Sequence, residues 1–419
     1  MFPGGTEIGL EIQRSLAHLK EVELVGAGSG LDVHGPLAYR SWHQIPSIGD
    51  DGWLESLQAL IADQSIDFVY PAHDIVVTTL ANHVGDLGAV LVAPPPDTCR
   101  LTRSKRATYA ALAGAVPVPR IYDNPAEVDE FPVFVKPDMS QGSQGAALVG
   151  TPEELRHWTG LGSDLVLEYL PGDEHTVDCF SDRERGVLFA RGRTRMRTRA
   201  GISVWSRAGG DQALFADYAR RIAERIPLHG AWFFQLRAGR DGVPTLLEVG
   251  PRIAGTMALN RVLGVNFPLL SIYEALRVPV SVDPLDVDAV IDRPLANRYA
   301  HDLTYSSVYV DLDDTLIVRD RVNVPLAGFL FQCLNEGRRL VLLTRHRRDV
   351  ATTLGAHRLD GLWDEVIRVA DDAHKADHIG EPDAILIDDS FRERRGAHER
   401  LGIATFDSSM VELLVDHRA

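Results

Sequence analysis

Two acidic residues spaced by one open the strongest chemical signal in the chain. The segment VYVDLDDTLIV, Val308 to Val318, sets Asp311 and Asp313 at the end of an apolar run. Residues i and i+2 of an extended chain share one face, so both carboxylates can converge at the C-terminal edge of a strand. Open parallel sheets gather their chemistry at that edge. Three further segments aim at the same place: VLLT ends in Thr344, AHKADHI carries Lys375, and ILIDDS delivers Asp388 and Asp389. Carboxylates, a hydroxyl and an ammonium in one cluster suit magnesium-assisted phosphoryl chemistry, with Asp311 as attacking nucleophile.

A second set of residues lies in the middle of the chain. Lys136 ends the apolar run FPVFVKP, and Ser140 to Gly145 follow as a loop of small residues whose backbone N–H groups can wrap phosphate oxygens. Glu168, Tyr169 and Leu170 come next, then Glu174; later, two strand-like runs joined by a glycine-containing turn carry Gln235, Glu248 and Arg252. Arg191, Arg193, Arg195, Arg197 and Arg199 alternate strictly, and period two places all five on one strand face. Such a row repels itself unless anions lie opposite. It reads as a triphosphate and carboxylate binder, or as a solvated ribbon. His73 and Asp74 end a strand and read as a structural cap, with contact to substrate as the alternative.

Elements must carry these residues. Val22 to Val25, Phe68 to Tyr70 and Ala89 to Val92 read as strands and Trp53 to Ala62 as a helix, which implies a small parallel α/β domain. Gly4, Gly5 and Gly9 look like a strand-to-helix turn with only Met1 to Pro3 before it; either that strand is very short or the start lies further upstream. Thr102 to Gly114 reads as a helix capped by Thr102, and Thr151-Pro152-Glu153-Glu154 as a capping box opening another. Strands are expected at Phe131 to Lys136, Asp164 to Tyr169, Leu188 to Arg199, Trp232 to Leu236 and Thr245 to Val249, an α+β pattern. Pro279, Pro284 and Pro294 mark a linker. From Ser307 a βα rhythm returns, with strands at Val308–Leu312, Leu340–Thr344, Val366–Val369, Ala384–Ile387 and Ala404–Phe406.

The four C-terminal segments, in this order, resemble the motifs of the haloacid dehalogenase superfamily over about Ser307 to the C-terminus. The resemblance implies that Asp311 forms an aspartyl-phosphate and Asp313 acts as acid and then base. Thr344 and Lys375 would hold phosphoryl oxygens. Mg²⁺ would sit on Asp311, Asp388 and the Asp313 carbonyl, with Asp389 behind them. The intervals between motifs are too short for a large lid, so a capless Rossmann-like domain is expected. Arg345, Arg347 and Arg348 could rim it, or simply open a solvated helix.

The central series resembles the ATP-grasp superfamily, in particular its carbamoyl-phosphate-synthetase-like branch, over about Met1 to Pro279. The resemblance implies that Lys105 and Lys136 contact ATP phosphates under a flap of Gly142, Ser143, Gln144 and Gly145. Glu168, Tyr169 and Leu170 would receive adenine and Glu174 the ribose. Gln235 and Glu248 would bind Mg²⁺ (Mn²⁺ being an alternative), and Arg252 would steady the transferred phosphoryl group. Gly250 stands where the family pattern has an asparagine, which removes one metal ligand. The expected order is a pre-ATP-grasp α/β domain at 1–100, an ATP-grasp domain at 101–285, a linker at 286–306 and the phosphatase-like domain at 307–419. Expected partners are a small-molecule carboxylate, an amine and a phosphoester. The readings left open are a carboxylate–amine ligase with a phosphatase, a small-molecule kinase with a phosphatase, and a ligase with a non-catalytic C-terminal scaffold.

Composition agrees with an enzyme of this size. The chain has 419 residues, 45% hydrophobic and 24% charged, enough for several cores. A net charge of −16 argues against coating nucleic acid or an acidic membrane. Three scattered cysteines without a CxxC pair suit a reducing cytoplasm. No apolar run reaches membrane length. A homo-oligomer is compatible with all of this.

Overall fold

The computed structural model describes the chain except residues 31–33, 141–143, 159–163, 200, 295 and 419. It forms two compact units, Met1–Leu295 with Arg418–Ala419, and Ala296–His417.

The first unit begins with a small α/β layer. Parallel strands Val25–Gly28 and Ser41–Gln44 pair, as do Phe68–Val69 and Val90–Leu91. The N-terminal residues run between them. The Phe2 N–H donates to the Tyr70 carbonyl at 3.0 Å, and the Ala27 N–H to the Met1 carbonyl at 2.9 Å. Met1 to Gly4 thus acts as a minimal strand before the helix Glu7–Leu16. Gly9 is required there, because a Cβ would lie 2.4 Å from the Gly4 carbonyl oxygen. The strand expected at Val22 to Val25 falls instead at Val25–Gly28, since Val22 still turns back onto Leu19 at the end of the first helix.

One helix expected near Thr102 is two, Pro96–Arg103 and Lys105–Leu112. The cap of the second is Ser104, not Thr102: the Ser104 hydroxyl accepts from the Ala107 N–H at 3.1 Å and donates to Asp138 at 2.7 Å. An antiparallel four-stranded sheet follows, in spatial order Ile121–Tyr122, Asp164–Glu168, Val133–Pro137, Ala147–Val149. A six-stranded antiparallel sheet completes the unit: Pro244–Gly250, Gly230–Ala238, Glu174–Asp182, Gly186–Arg199, Ile202–Ala208, Val290–Asp292. Helix Gln212–Arg225 lays Phe215, Tyr218, Ala219 and Ile222 against Trp232, Phe234 and Leu246 of this sheet. Part of the stretch read as linker is therefore an edge strand of the sheet, with Asp292 opposite Trp205.

The second unit is a five-stranded parallel sheet in the order Glu365–Arg368, Arg339–Thr344, Ser307–Val310, Ala384–Ile387, Ala404–Phe406. Its central strands are buried on both faces. Val308, Val310, Leu340, Leu342, Ile385 and Ile387 fill one core, while Tyr309, Val341, Leu343 and Leu386 fill the other. That explains runs of apolar residues without polar alternation. Between Asp311 and Thr344 stand only the hairpin Ile317–Val318/Arg321–Val322 and helix Val324–Asn335. Among the described residues no helix is long and apolar enough to cross a membrane.

Candidate active sites

In the second unit the central strands place Asp311, Thr344 and Asp388 at one sheet edge, and the short turn Lys375–His378 closes on them. Lys375 Nζ donates to Asp311 Oδ1 and Asp388 Oδ2, both at 2.6 Å. All three side chains are buried. Thr315, four residues past Asp311, donates to Asp389 at 3.2 Å and accepts from the Asp389 N–H at 2.9 Å. Arg394 secures the carbonyls of Asp388 and Asp389 at 2.6 and 2.8 Å. Burial pushes the Asp311 carboxyl up to about 6; the Lys375 ammonium opposes this and Asp388 adds to it.

Asp311, Asp388 and Asp389 each offer an oxygen within 4.8 Å of the others, a donor set that suits a hard divalent cation. Asp389, expected behind the ligands, also offers an oxygen to this cluster. Thr344 is fully buried, its hydroxyl accepting from the His346 N–H at 3.1 Å. Asp313 points outward and meets His346, a residue the sequence did not single out. His346 Nδ1 lies 2.8 Å from Asp313, and Nε2 lies 2.9 Å from the Thr353 hydroxyl. The Thr353 hydroxyl also reaches the Asp349 carbonyl at 3.1 Å. His346 thus ties Asp313 to the helix Val350–Ala356. Arg345 is no free rim residue: it pairs with Glu393 at 2.9 Å and donates to the Ala373 carbonyl.

In the first unit a cleft opens between the two antiparallel sheets. Lys105, Lys136, Glu168, Tyr169, Leu170, Glu174, Gln235 and Glu248 all line it, as the sequence pattern requires. Lys136 projects from the end of its strand and donates to the Tyr109 hydroxyl at 3.0 Å and to the Leu247 carbonyl at 3.4 Å. Among the described residues it has no carboxylate partner within ion-pair distance. Burial, helped by the nearby Lys105 charge, lowers its pKa to about 8. Lys105 donates to the Asp138 carbonyl and to both oxygens of Ser140, each at 3.1 Å. Burial lowers its pKa too, against the Glu248 charge. Glu168 accepts from the Arg120 N–H at 2.8 Å, fixing the start of the Tyr169-Leu170 hinge. Of the expected flap, Gly142 and Ser143 lie outside the described residues. Gln144 is exposed, and Gly145 adopts φ +69° against Pro137.

Other residues do not sit as expected. Arg252 does not line this cleft. Its Nε and Nη2 both bind Asp74 at 2.6 Å, and Nη1 donates to the Ile253 carbonyl at 2.8 Å. The pair lies in an adjoining cavity that also reaches Lys105 and Glu248. Asp74 is thus an ion-pair partner rather than a helix cap, and no side-chain cap bond forms there. Burial alone would raise the Asp74 carboxyl, but Arg252 holds it low.

The arginine row is not a bare cationic face either. Bulges at Arg195 and Arg197 break its period, and carboxylates of the same unit meet its members. Arg193 is buried against Asp178 at 2.9 and 3.0 Å, and Arg197 meets Asp292 at 2.6 Å. Of the five, Arg195 is the one that enters the cleft, bound to Glu174 and Gln235. Arg191 is partly buried and Arg199 exposed.

Comparisons with known proteins address the first unit. A family model described as ATP-grasp in the biosynthetic pathway with Ter operon matches residues 163–293. That segment runs from the strand Asp164–Glu168 through the whole six-stranded sheet. No curated protein sequence matches the chain. Among solved structures, the biotin carboxylase domain of Hydrogenobacter thermophilus 2-oxoglutarate carboxylase, a complex with MgADP, ADP and bicarbonate, superposes with TM-score 0.55 at 17% identity. It covers 64% of this chain and 67% of its own. The L-amino acid ligase of Bacillus licheniformis gives TM-score 0.54 at 17% identity over 67% of this chain and 75% of its own. The N5-carboxyaminoimidazole ribonucleotide synthetase of Thermus thermophilus gives 0.54 at 18% over 68% and 81%. Two antiparallel sheets facing across a lysine-lined cleft, a matching family segment and these likenesses together give the first unit an ATP-grasp-like fold.

Proposed function

We propose that the chain is a bifunctional enzyme: an ADP-forming carboxylate–amine ligase followed by a phosphohydrolase of the haloacid dehalogenase type. The observation that carries the first half is Lys136, a buried ammonium without a carboxylate partner among the described residues, beside Lys105 in the cleft between the two sheets. Such a pair is completed by a polyanion. ATP suits it, with Tyr169 and Leu170 beside the base, Glu174 at the ribose and Glu248 offering a carboxylate to Mg²⁺. That ion would neutralise charge on the phosphate chain. The solved structures named above include an amino acid ligase and a complex with MgADP, which supports this reading.

A substrate carboxylate oxygen attacks the γ-phosphorus, the bond to the β-phosphate oxygen breaks, and ADP leaves. The amine then attacks the acyl carbon, loses a proton and expels inorganic phosphate. Arg252 contributes to this step only after leaving Asp74, so the adjoining cavity is where the carboxylate would sit.

In the second unit Asp311 attacks the phosphorus of a phosphoester. Asp313, held in place by His346, protonates the leaving oxygen. Water then cleaves the aspartyl-phosphate, giving its proton to Asp313. Lys375 and the buried Thr344 lie where the phosphoryl oxygens arrive. A magnesium ion on Asp311, Asp388 and Asp389 would offset the charge brought together there. On this reading residues 1–100 precede the grasp domain at 101–285, and residues 307–419 form the phosphatase. The three free, buried cysteines suit a cytoplasmic setting.

Mass spectrometry of products tests the proposal. Wild type and Asp311→Asn are given ATP with mixed carboxylates, amines and phosphoesters. ADP plus a new amide, with a product that keeps a phosphate only in the variant, is the expected result. Absence of any amide across the library would remove the ligase half. Unchanged phosphate release in Asp311→Asn would remove the other.

A further inference from the structure

The last two grasp strands offer the nucleotide cleft a single carboxylate for a divalent ion. In the register of the last two grasp strands, Gln235 lies opposite Glu248 and Phe233 opposite Gly250. Glu248 is a carboxylate, Gln235 only an amide, and Gly250 offers no side chain. No larger residue fits at Gly250, because a Cβ would stand 2.4 Å from the Phe233 ring. The Gln235 carbonyl oxygen is also occupied: Arg195 Nη1 donates to it at 3.0 Å and to Glu174 as well. Arg195 Nη2 is held by the Gly201 carbonyl at 2.6 Å. The side chain is 6% exposed, and its Nε is buried without a hydrogen-bond partner among the described residues. A buried guanidinium with one donor still unsatisfied calls for an acceptor.

We infer that the cleft takes its nucleotide with a single divalent ion, on Glu248, and that Arg195 supplies the fixed positive charge on the Gln235 side. This rests on the nucleotide-binding reading above and deepens it. Arginine suits such a place because its planar fork can hold Glu174, Gln235 and a ligand oxygen together. The donor census also explains why Gln235 is tolerated. A glutamate there would compete with Glu174 for the guanidinium, whereas an amide oxygen accepts from it without added charge.

Manganese and ADP are the probes, with the full chain. Electron paramagnetic resonance counts the ions taken up only when ADP is added, which sets aside the acid cluster of the second unit. One ion per chain is expected; two ions overturn the proposal while leaving nucleotide binding intact. Failure of ADP to bind at all removes the nucleotide reading and the proposal with it. In a second arm Arg195→Gln should weaken ADP about tenfold at saturating manganese, with Arg195→Lys, which keeps the charge but not the fork, recovering only part of the loss. Unchanged ADP affinity in Arg195→Gln also overturns it.

Discussion

Two buried lysines divide the molecule's chemistry. Lys375 is bracketed by Asp311 and Asp388 at 2.6 Å each, while Lys136 has a phenol and a carbonyl for partners and a second lysine nearby. The side chains are similarly enclosed, at 3% and 7% exposure, so burial does not distinguish them. Charge does. Around Lys375 acids outnumber the base, which favours a cation and a phosphoryl group arriving together. Around Lys136 the acids, Glu248, Glu174 and Asp138, stand beyond ion-pair distance among the described residues, which leaves room for a polyphosphate. The same residue type, equally dry, serves opposite electrostatic needs because its neighbours differ.

Substitutions can break that contrast. Asp311→Asn should lower phosphate release by at least about a thousandfold, because the nucleophile is gone, and leave ADP formation unchanged. Loss of both activities would mean the two sites are not chemically separate. Lys136→Met should lower ADP formation roughly a hundredfold and spare phosphate release, measured on the same preparation.

A pH series sharpens the difference. Lys136 is held at about 8, and an anionic nucleotide would raise it, so binding takes up a proton above pH 8. ADP affinity measured by calorimetry should fall about tenfold between pH 7 and 9, with proton uptake in buffers of different ionisation heat. In the free protein the sign reverses. Lys136 gives up its proton near pH 8 when folded and only near its ordinary 10.5 when unfolded, so its contribution to stability grows with pH across that window. A flat ADP affinity would place Lys136 away from the phosphates. The smallest effect is expected at His346→Ala. Phosphate release should drop several-fold to about tenfold, more in kcat than in KM, with His346→Gln recovering part of it. An unaltered kcat would show that Asp313 needs no partner.

Much of both sites could be read from local pattern. An apolar run ending in spaced acids locates a buried parallel strand and its acid-bearing edge, since the strand's period and burial are properties of neighbouring residues. Lys136, Glu168, Glu174, Gln235 and Glu248 also reach one cleft, but the resemblance to the ATP-grasp superfamily, not local period, pointed to them as a set. The helix start read at Thr102 falls at Ser104, whose hydroxyl accepts from the Ala107 N–H and donates to Asp138, a distant residue that local pattern does not show.

Pairings between distant residues are a different matter. Strict alternation describes the arginine row on an ideal strand, but two bulges and three carboxylates from other strands decide where each side chain goes. Arg252 finds Asp74 across 178 positions, and His346 finds Asp313 across 33. Gly250 can be seen in the sequence as a missing ligand, but that Phe233 leaves no room for one is a fact of packing. Residue order settled which elements form and which chemistry each can offer, because those follow from short-range periodicity and side-chain type. Tertiary structure alone settled which charges meet, because a buried ion takes whatever counter-ion the packed chain brings to it.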